Sequence, residues 1–457
     1  MDMFWKRIRG LATAAILLAG GAAHAEAPPT TWIVWAGKLL AVPGRDVTAT
    51  QTLVIRRGHL DRIAAGRLGA QDIGADPANT RILDLSCCVV LPGLFDLHVH
   101  LTTEPDPTGF TDDVSRTSSD LALRAAVNAR KTVEAGFTTV LDMGTGRRSH
   151  ELAIYAVRDA IAAGKIPGPR LLAVGSPLSS PGNSRTGRYT PEVERVIPPQ
   201  AVCTGADECA RAVREQVERG ADVINFYNTG SLLNPLSPAQ TFTADEMRSI
   251  VSTAHSLNRR VVADGAGKPD SAAGVDAAIA SGADWIDTVI YPGKKTWTLA
   301  AGANRMYAPH LYAVVAAVGD DETHLTEGSM GWLPIPVLET LLKLKRERPA
   351  AIEAHKAGVR MVFASDAGVF AHGLNAHEFA QYVAAGLSPT EAIQTATINA
   401  ATTLGLLADS GTLEVGKRAD LIAVQGNPLM DVRALESVEL VMVEGRLVKL
   451  RDLGSPP

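Results

Sequence analysis

The sequence predicts an α/β protein, a (β/α)8 TIM barrel with a small composite β-sandwich domain built from both chain ends. Three observations lead there. Between residues 89 and 407, eight short apolar runs alternate with helical stretches. Alternation of this kind predicts a parallel sheet, and eight units predict its closure into a barrel. Residues 31–65 and 411–450 alternate apolar with polar side chains, as half-buried strands do. Finally, the 457 residues are 46% hydrophobic and 20% charged, which suits a large core and argues against disorder.

The elements follow in order. Lys6, Arg7 and Arg9 precede an apolar run from Leu11 to Ala23, and Ala23-His24-Ala25 has the small-x-small form of a cleavage site. Residues 1–25 are therefore read as a signal peptide, with a mature chain starting near Glu26 that is periplasmic or secreted. The run is short for a membrane span, so no stable insertion is expected after cleavage; a retained anchor is the alternative reading. Residues 26–88 and 408–457 make the composite β domain. Trp32, Val34, Leu53 and Ile55 mark strands, with turns at Gly37, Gly44 and Gly58. Asp420–Val424 is a further strand, and Val438–Val448 a hairpin turning near Glu444-Gly445. Cys87 and Cys88 are expected to pack as small core residues rather than to ligate a metal together, because adjacent strand residues face opposite sides. Cys203 and Cys209 flank a short loop that a disulfide would close in an oxidising compartment.

Residues 89–407 form the barrel. Its strands end near His100, Asp142, Ser176, Tyr227, Asp264, Thr288, His310 and Asp366. Helices are expected over Asp120–Glu134, Glu151–Ala163, Asp207–Glu218 and Asp245–Leu257. Two stretches, Ser176–Val202 and Pro292–Leu333, read as long loops that serve either as substrate walls or as surface decoration. In such a barrel, functional groups belong at strand C-termini.

The run Val89–His100 is the most informative stretch. His98 and His100 are two apart on a strand, so both imidazoles point to one side and can reach one metal ion. His310 sits at the end of the seventh strand. It either faces substrate as a polarising group or replacement ligand, or is structural. Arg147, Arg148, Arg185 and Arg188 lie on loops at the barrel mouth. There a guanidinium grips a substrate carboxylate or is simply solvated. The net charge of −5 gives no polybasic footprint, so nucleic acid is not an expected partner. There is no glycine-rich phosphate loop and no Gly-x-Ser-x-Gly elbow.

Several motifs together carry a family resemblance. They are Leu91–His100, Gly136–Val140, Gly220–Ile224, Ser365–Val369, His372–Ala376 and Gly416–Leu421. Over residues 31–450 the chain resembles the prolidase-like, imidazolonepropionase-related amidohydrolases. The resemblance implies that metal-activated water attacks an amide or related carbon, with Asp366 as metal ligand and proton shuttle. It also implies that His372, in the His-Gly-x-Asn turn, buttresses Asp366 or lines the substrate pocket. The pattern then breaks. Relatives carry a bridging lysine where Asn225 stands here, His-Ala-His-Gly where Asp264-Gly265-Ala266-Gly267 stands, and Glu-His where Asp287-Thr288 stands. A two-metal site cannot be built unchanged from these residues. What remains is His98, His100 and Asp366. Asp264 either completes the shell or caps an Asp-Gly turn. The expected cofactor is thus one divalent metal ion, zinc in the first instance. The expected substrate is a small amide such as a dipeptide or N-acyl amino acid, and the chain is compatible with a homo-oligomer. The rival reading is a catalytically silent barrel that binds a small ligand or partner.

Overall fold

The computed structural model describes residues 31–105, 111–145, 148–181, 192, 201–230, 238–269, 271–319 and 321–451. The expected signal peptide, Arg147, Arg185, Arg188 and most of the 176–202 stretch lie outside the described residues.

The N-terminal strands are β1 (Thr31–Leu39), β2 (Thr48–Arg56), β3 (His59–Ala65) and β4 (Thr80–Pro92). Seven parallel strands follow. They are β5 (Leu94–Val99), β6 (Phe137–Asp142), β7 (Arg170–Ala173), β8 (Val223–Tyr227), β9 (Arg260–Asp264), β10 (Trp285–Asp287) and β11 (Met306–Ala308). The chain closes with β12 (Leu421–Val424), β13 (Val438–Val443) and β14 (Arg446–Leu450).

Both chain ends meet in one seven-stranded sheet, ordered β14-β13-β12-β4-β1-β2-β3. Its two faces serve different cores. Val34, Leu53, Leu85, Leu421 and Leu440 pack together in a core of the sheet's own. Val89, Leu91, Ile422 and Val441 belong to the large core shared with Val133, Phe137 and Phe379 of the central domain. The period-two pattern read from the sequence is therefore two buried faces, not one. The hairpin turns at Arg57-Gly58 and Glu444-Gly445 have positive φ at both central residues, as two-residue hairpins with right-handed twist require.

Two expectations are corrected in this sheet. Gly37 does not turn the chain. It lies inside β1, where a Cβ would collide with the Ser86 carbonyl, at the point where the β1–β4 register slips. Cys87 is not a core residue. It is exposed while Cys88 is buried, and the two sulfurs are joined.

The central domain is TIM-barrel-like. β5-β6-β7 form one parallel sheet and β8-β9-β10-β11 another. Parallel bridges connect Leu178 with Phe226, Tyr307 with Met361, and Val99 with Ala367. The sequence of neighbours thus returns to β5. Phe95, Leu141, Val223, Val262, Trp285 and Val362, from six strand positions, meet in a single core cluster. The helices Ser118–Glu134, Arg148–Ala162, Ala206–Arg219 and Ala244–Ser256 lie within a few residues of their expected places. Thr117 with Asp120, and Thr243 with Glu246, form reciprocal capping boxes that set two of the starts. Cys203 and Cys209 are joined across the start of helix Ala206–Arg219, with Cα atoms 5.1 Å apart.

Pro292–Leu333 is not a loop. It holds helix Thr296–Gly302, β11 and helix Leu311–Val318. Its glycines and polar residues punctuate short elements. The run Leu311–Val318 is almost wholly apolar, and Ala317 and Val318 bury against Leu338 and Leu341.

Candidate active site

The strand C-termini carry the chemistry. His98 Nε2 and His100 Nε2 lie 3.1 Å apart, and each is 3.4 Å from Asp366 Oδ1. The two ring nitrogens can share a proton at this distance or turn both lone pairs to a cation. A tetrahedral shell with bonds of ~2.0–2.1 Å has donor–donor edges of about 3.4 Å. The triangle thus fits a divalent ion, and Asp366 Oδ1 is buried with no hydrogen-bond partner of its own. Burial opposes ionisation of Asp366. His98, His100 and His310 outweigh it and hold the carboxyl well below the usual range.

The outer side of His98 is held by a residue that sequence reasoning read only as a departure. His98 Nδ1 lies 3.3 Å from Asp287 Oδ1 at the end of β10. A carboxylate only accepts, so Nδ1–H donates to it and Nε2 keeps its lone pair for a metal. His310 Nε2 approaches the same oxygen to 2.5 Å, off the hydrogen-bond direction. His98, Asp287 and His310 therefore make a second convergent group that shares His98 with the first. Burial works against a charge on His310. Asp287, with Asp366 and Asp264, more than offsets it and raises its pKa to about 9. Asp287 is buried too, yet the imidazoles of His310 and His98 keep it well below the usual carboxylate range.

The backbone at three strand ends is strained. Thr288, His310 and Asp366 all have positive φ, at 61°, 52° and 60°. Non-glycine residues in that region persist only where the surroundings hold them, and they cluster at functional sites. For Asp366 the holding is visible. Its amide donates to the His98 carbonyl at 2.9 Å. Next to it, the Ser365 hydroxyl and the Asn375 amide both donate to Asp96, at 2.5 and 2.8 Å. Asp96 also accepts from the Ser365 and His98 amides. It thereby ties β5 to the eighth strand position beneath the triangle. Glu378 is buried and accepts from the Leu311 and Tyr312 amides, which anchors the helix that follows His310. Asp142 accepts from the Leu101 and Gly144 amides at 2.8 and 3.0 Å.

The other expected residues fall in distinct places. Asp264 is buried at the end of β9, in register with Asp287, but neither convergent group includes it. Asn225 lies on β8 with both amide atoms buried and without hydrogen-bond partners. Of the two expected roles of His372, buttress or pocket lining, the contacts go with the buttress. Its Nε2–H points to the carbonyls of His100 and Thr103, both at 3.2 Å, and Nδ1 faces the Thr132 hydroxyl at 3.4 Å. It braces the loop that carries His100 and does not line the cavity at the site.

Burial lowers the pKa of His372 from 6.5 to about 4. A depressed folded-state value means that the unfolded chain binds the extra proton first. The stabilisation is then complete above pH 6.5 and is lost as pH falls through 4. His372→Gln should lose less of its melting temperature across that window than wild type does. Equal slopes would remove His372 as a source of acid sensitivity.

A cavity of ≈ 180 Å³ opens from this cluster, with Asp264, Thr288, His310 and Asp366 at one end. The site thus joins a buried cluster of imidazoles and carboxylates to a half-open cavity large enough for a small molecule.

The chain is similar to several known proteins. Ochratoxinase of Aspergillus niger is 29% identical over 395 residues, covering 80% of this chain and 77% of that protein. A Xaa-Pro dipeptidase solved with methionine in its active site is 29% identical, with a TM-score of 0.77 over 91% of this chain and 99% of that one. The crystal structure of the A. niger ochratoxinase gives 25% identity and a TM-score of 0.76, over 93% and 97% of the two chains. The model of the amidohydrolase family matches residues 89–448, which take in every strand of the central domain and every residue of the two convergent groups. The chain belongs to the amidohydrolase family.

Proposed function

We propose that this chain is an exported, metal-dependent amidohydrolase. It cleaves the C–N bond of a small amide, such as a dipeptide or N-acyl amino acid. Its family and its likeness to the dipeptidase and to ochratoxinase make it a hydrolase acting on carbon–nitrogen bonds. The observation that carries the metal reading is the triangle of His98, His100 and Asp366, with edges of 3.1, 3.4 and 3.4 Å. These residues hold one divalent ion, zinc in the first instance, and Asp264, in register with Asp287 at the end of β9, is the further ligand proposed.

When bound, such an ion polarises a carbonyl and makes water more acidic. The protein does the rest. Asp287 keeps the proton of His98 on Nδ1, so that Nε2 stays free. Asp366 takes a proton from the attacking water and returns it to the departing nitrogen. Its Oδ2 lies 4.0 Å from His310 Nδ1, so a cationic ring stands beside the shuttle. Asp96 and the loop braced by His372 hold Asp366 and His100 in place. Burial of the cluster excludes bulk water and strengthens each of these interactions.

The domain reading goes with this function. Residues 1–25 are a signal peptide, 26–88 and 408–457 the composite β-sandwich, and 89–407 a closed (β/α)8 barrel. The support for the sandwich is the sheet's private core, separate from the one it shares with the central domain. No helix among the described residues is long and apolar enough to cross a membrane. The export reading predicts a mature N-terminus at Glu26 by mass spectrometry; a chain still starting at Met1 in the cell envelope would indicate an anchor.

The activity is tested on a panel of dipeptides and N-acyl amino acids. Hydrolysis of at least one member, abolished by a chelator and restored by a divalent ion, is expected. A protein supplied with zinc, manganese or cobalt in turn, yet inert toward amides, lactones and esters, would contradict the reading.

A further inference from the structure

The cavity at the site has a polar end and an apolar one. Beyond His310 and Asp366 its wall is formed by Ala313, Val314 and Ala317 of helix Leu311–Val318, with Met330, Leu333 and Leu341. Among its described lining residues there is no lysine or arginine, and the acids and histidine are confined to Asp264, His310 and Asp366. The apolar end is continuous with the small core in which Ala317, Leu333 and Leu341 pack beside Leu338. It is therefore a half-open space walled on one side by a hydrophobic cluster, with the reacting groups on its lining.

Size narrows what can enter. An apolar cavity of roughly 150 Å³ stays dry and accepts a benzene-sized molecule. At ≈ 180 Å³ this chamber takes slightly more. A charged tail there would lose its water without finding a partner, whereas each buried methylene adds about fourfold to affinity.

We propose that the chamber selects the substrate class. The scissile amide bears on one side an uncharged apolar group of about six to eight carbons, an unbranched chain or a phenyl-bearing one. The group lies along helix Leu311–Val318 while the amide sits at Asp366. This rests on the hydrolase reading for the position of the amide, but not for the occupancy of the chamber.

The test measures binding and turnover separately on the metal-loaded protein. N-acylglycines from acetyl to dodecanoyl, N-acetyl-alkylamines of matching lengths, and glutaryl-, adipoyl- and suberoylglycine are compared by calorimetric Kd and by kcat/KM. In one of the first two series, Kd should tighten about fourfold per methylene up to hexanoyl or octanoyl length and then level off. The carboxylate-ended chains should bind roughly 10²-fold more weakly than their neutral counterparts. Ala313→Leu, and independently Leu341→Phe, should move the plateau to chains shorter by about two carbons, since each fills part of the chamber. A flat response in both series with turnover intact would overturn the chamber and leave the hydrolase standing. A length-dependent Kd without turnover would keep the chamber and overturn the hydrolase. A flat response without turnover would overturn both, and a preference for the carboxylate-ended chains would overturn the chamber.

Discussion

Asp366→Asn is expected to hydrolyse its best amide roughly 10²–10⁴ times more slowly than wild type, the usual scale of general acid–base catalysis. The substitution keeps size and a metal-facing oxygen but removes the basicity. Among the described residues, Asp366 is the carboxylate with an oxygen 3.4 Å from both His98 Nε2 and His100 Nε2, and its other oxygen lies 4.0 Å from His310 Nδ1. Asp287 is engaged by two imidazoles, and Asp96 by Ser365 and Asn375, so neither can stand in as the shuttle. The loss should appear in kcat more than in KM, because the proton transfer belongs to the transition state. Unchanged kcat in the variant would remove Asp366 from the mechanism.

His98→Ala should abolish both divalent-ion binding and activity. His98 belongs to both convergent groups and connects them, with Nε2 in the triangle and Nδ1 on Asp287. Its removal leaves two carboxylates and two imidazoles facing a void with no ring to align them. A structural ion depends on several protein ligands at once, so losing this one should cost more than losing His310. His310→Ala is the informative comparison. It should weaken activity while leaving stoichiometric metal in place, since His310 is outside the triangle. If instead His310→Ala releases the ion and His100→Ala does not, the ion is held by the group around Asp287.

The legible and illegible parts of this site divide along physical lines. His98 and His100 could be read because they are two apart at a strand end, where spacing decides the side they face, and Asp366 because its flanking Ser365 and Ala367-Gly368 resemble the family's motif. The alternation of strands and helices placed the C-termini of β8, β9 and β10 correctly. Asp287 was visible only as a lost Glu-His pair. Its role follows from a contact 189 residues away in the chain, which no local pattern encodes. A carboxylate at a buried strand end must find a partner, and that rule was the available signal. His310 was located by topology, but its pairing with Asp287 needed the fold. His372 was read as buttress or pocket lining, and only the fold, which tucks its turn under His100, separates the two. Pro292–Leu333 looked like a loop because its helices and strand are short and closely punctuated, below the length at which periodicity becomes decisive. Cys87 and Cys88 were read by strand alternation, and the slipped register at Ser86 breaks that rule.

A chain lacking the bridging lysine is expected still to hold a metal, through His98, His100 and Asp366. Elemental analysis of the purified protein, after supply of zinc, manganese or cobalt and removal of loose ions, tests it directly. About one tightly bound ion per chain, lost in His98→Ala, is the predicted result. Two tightly bound ions per chain, or none under metal-replete conditions, would contradict it.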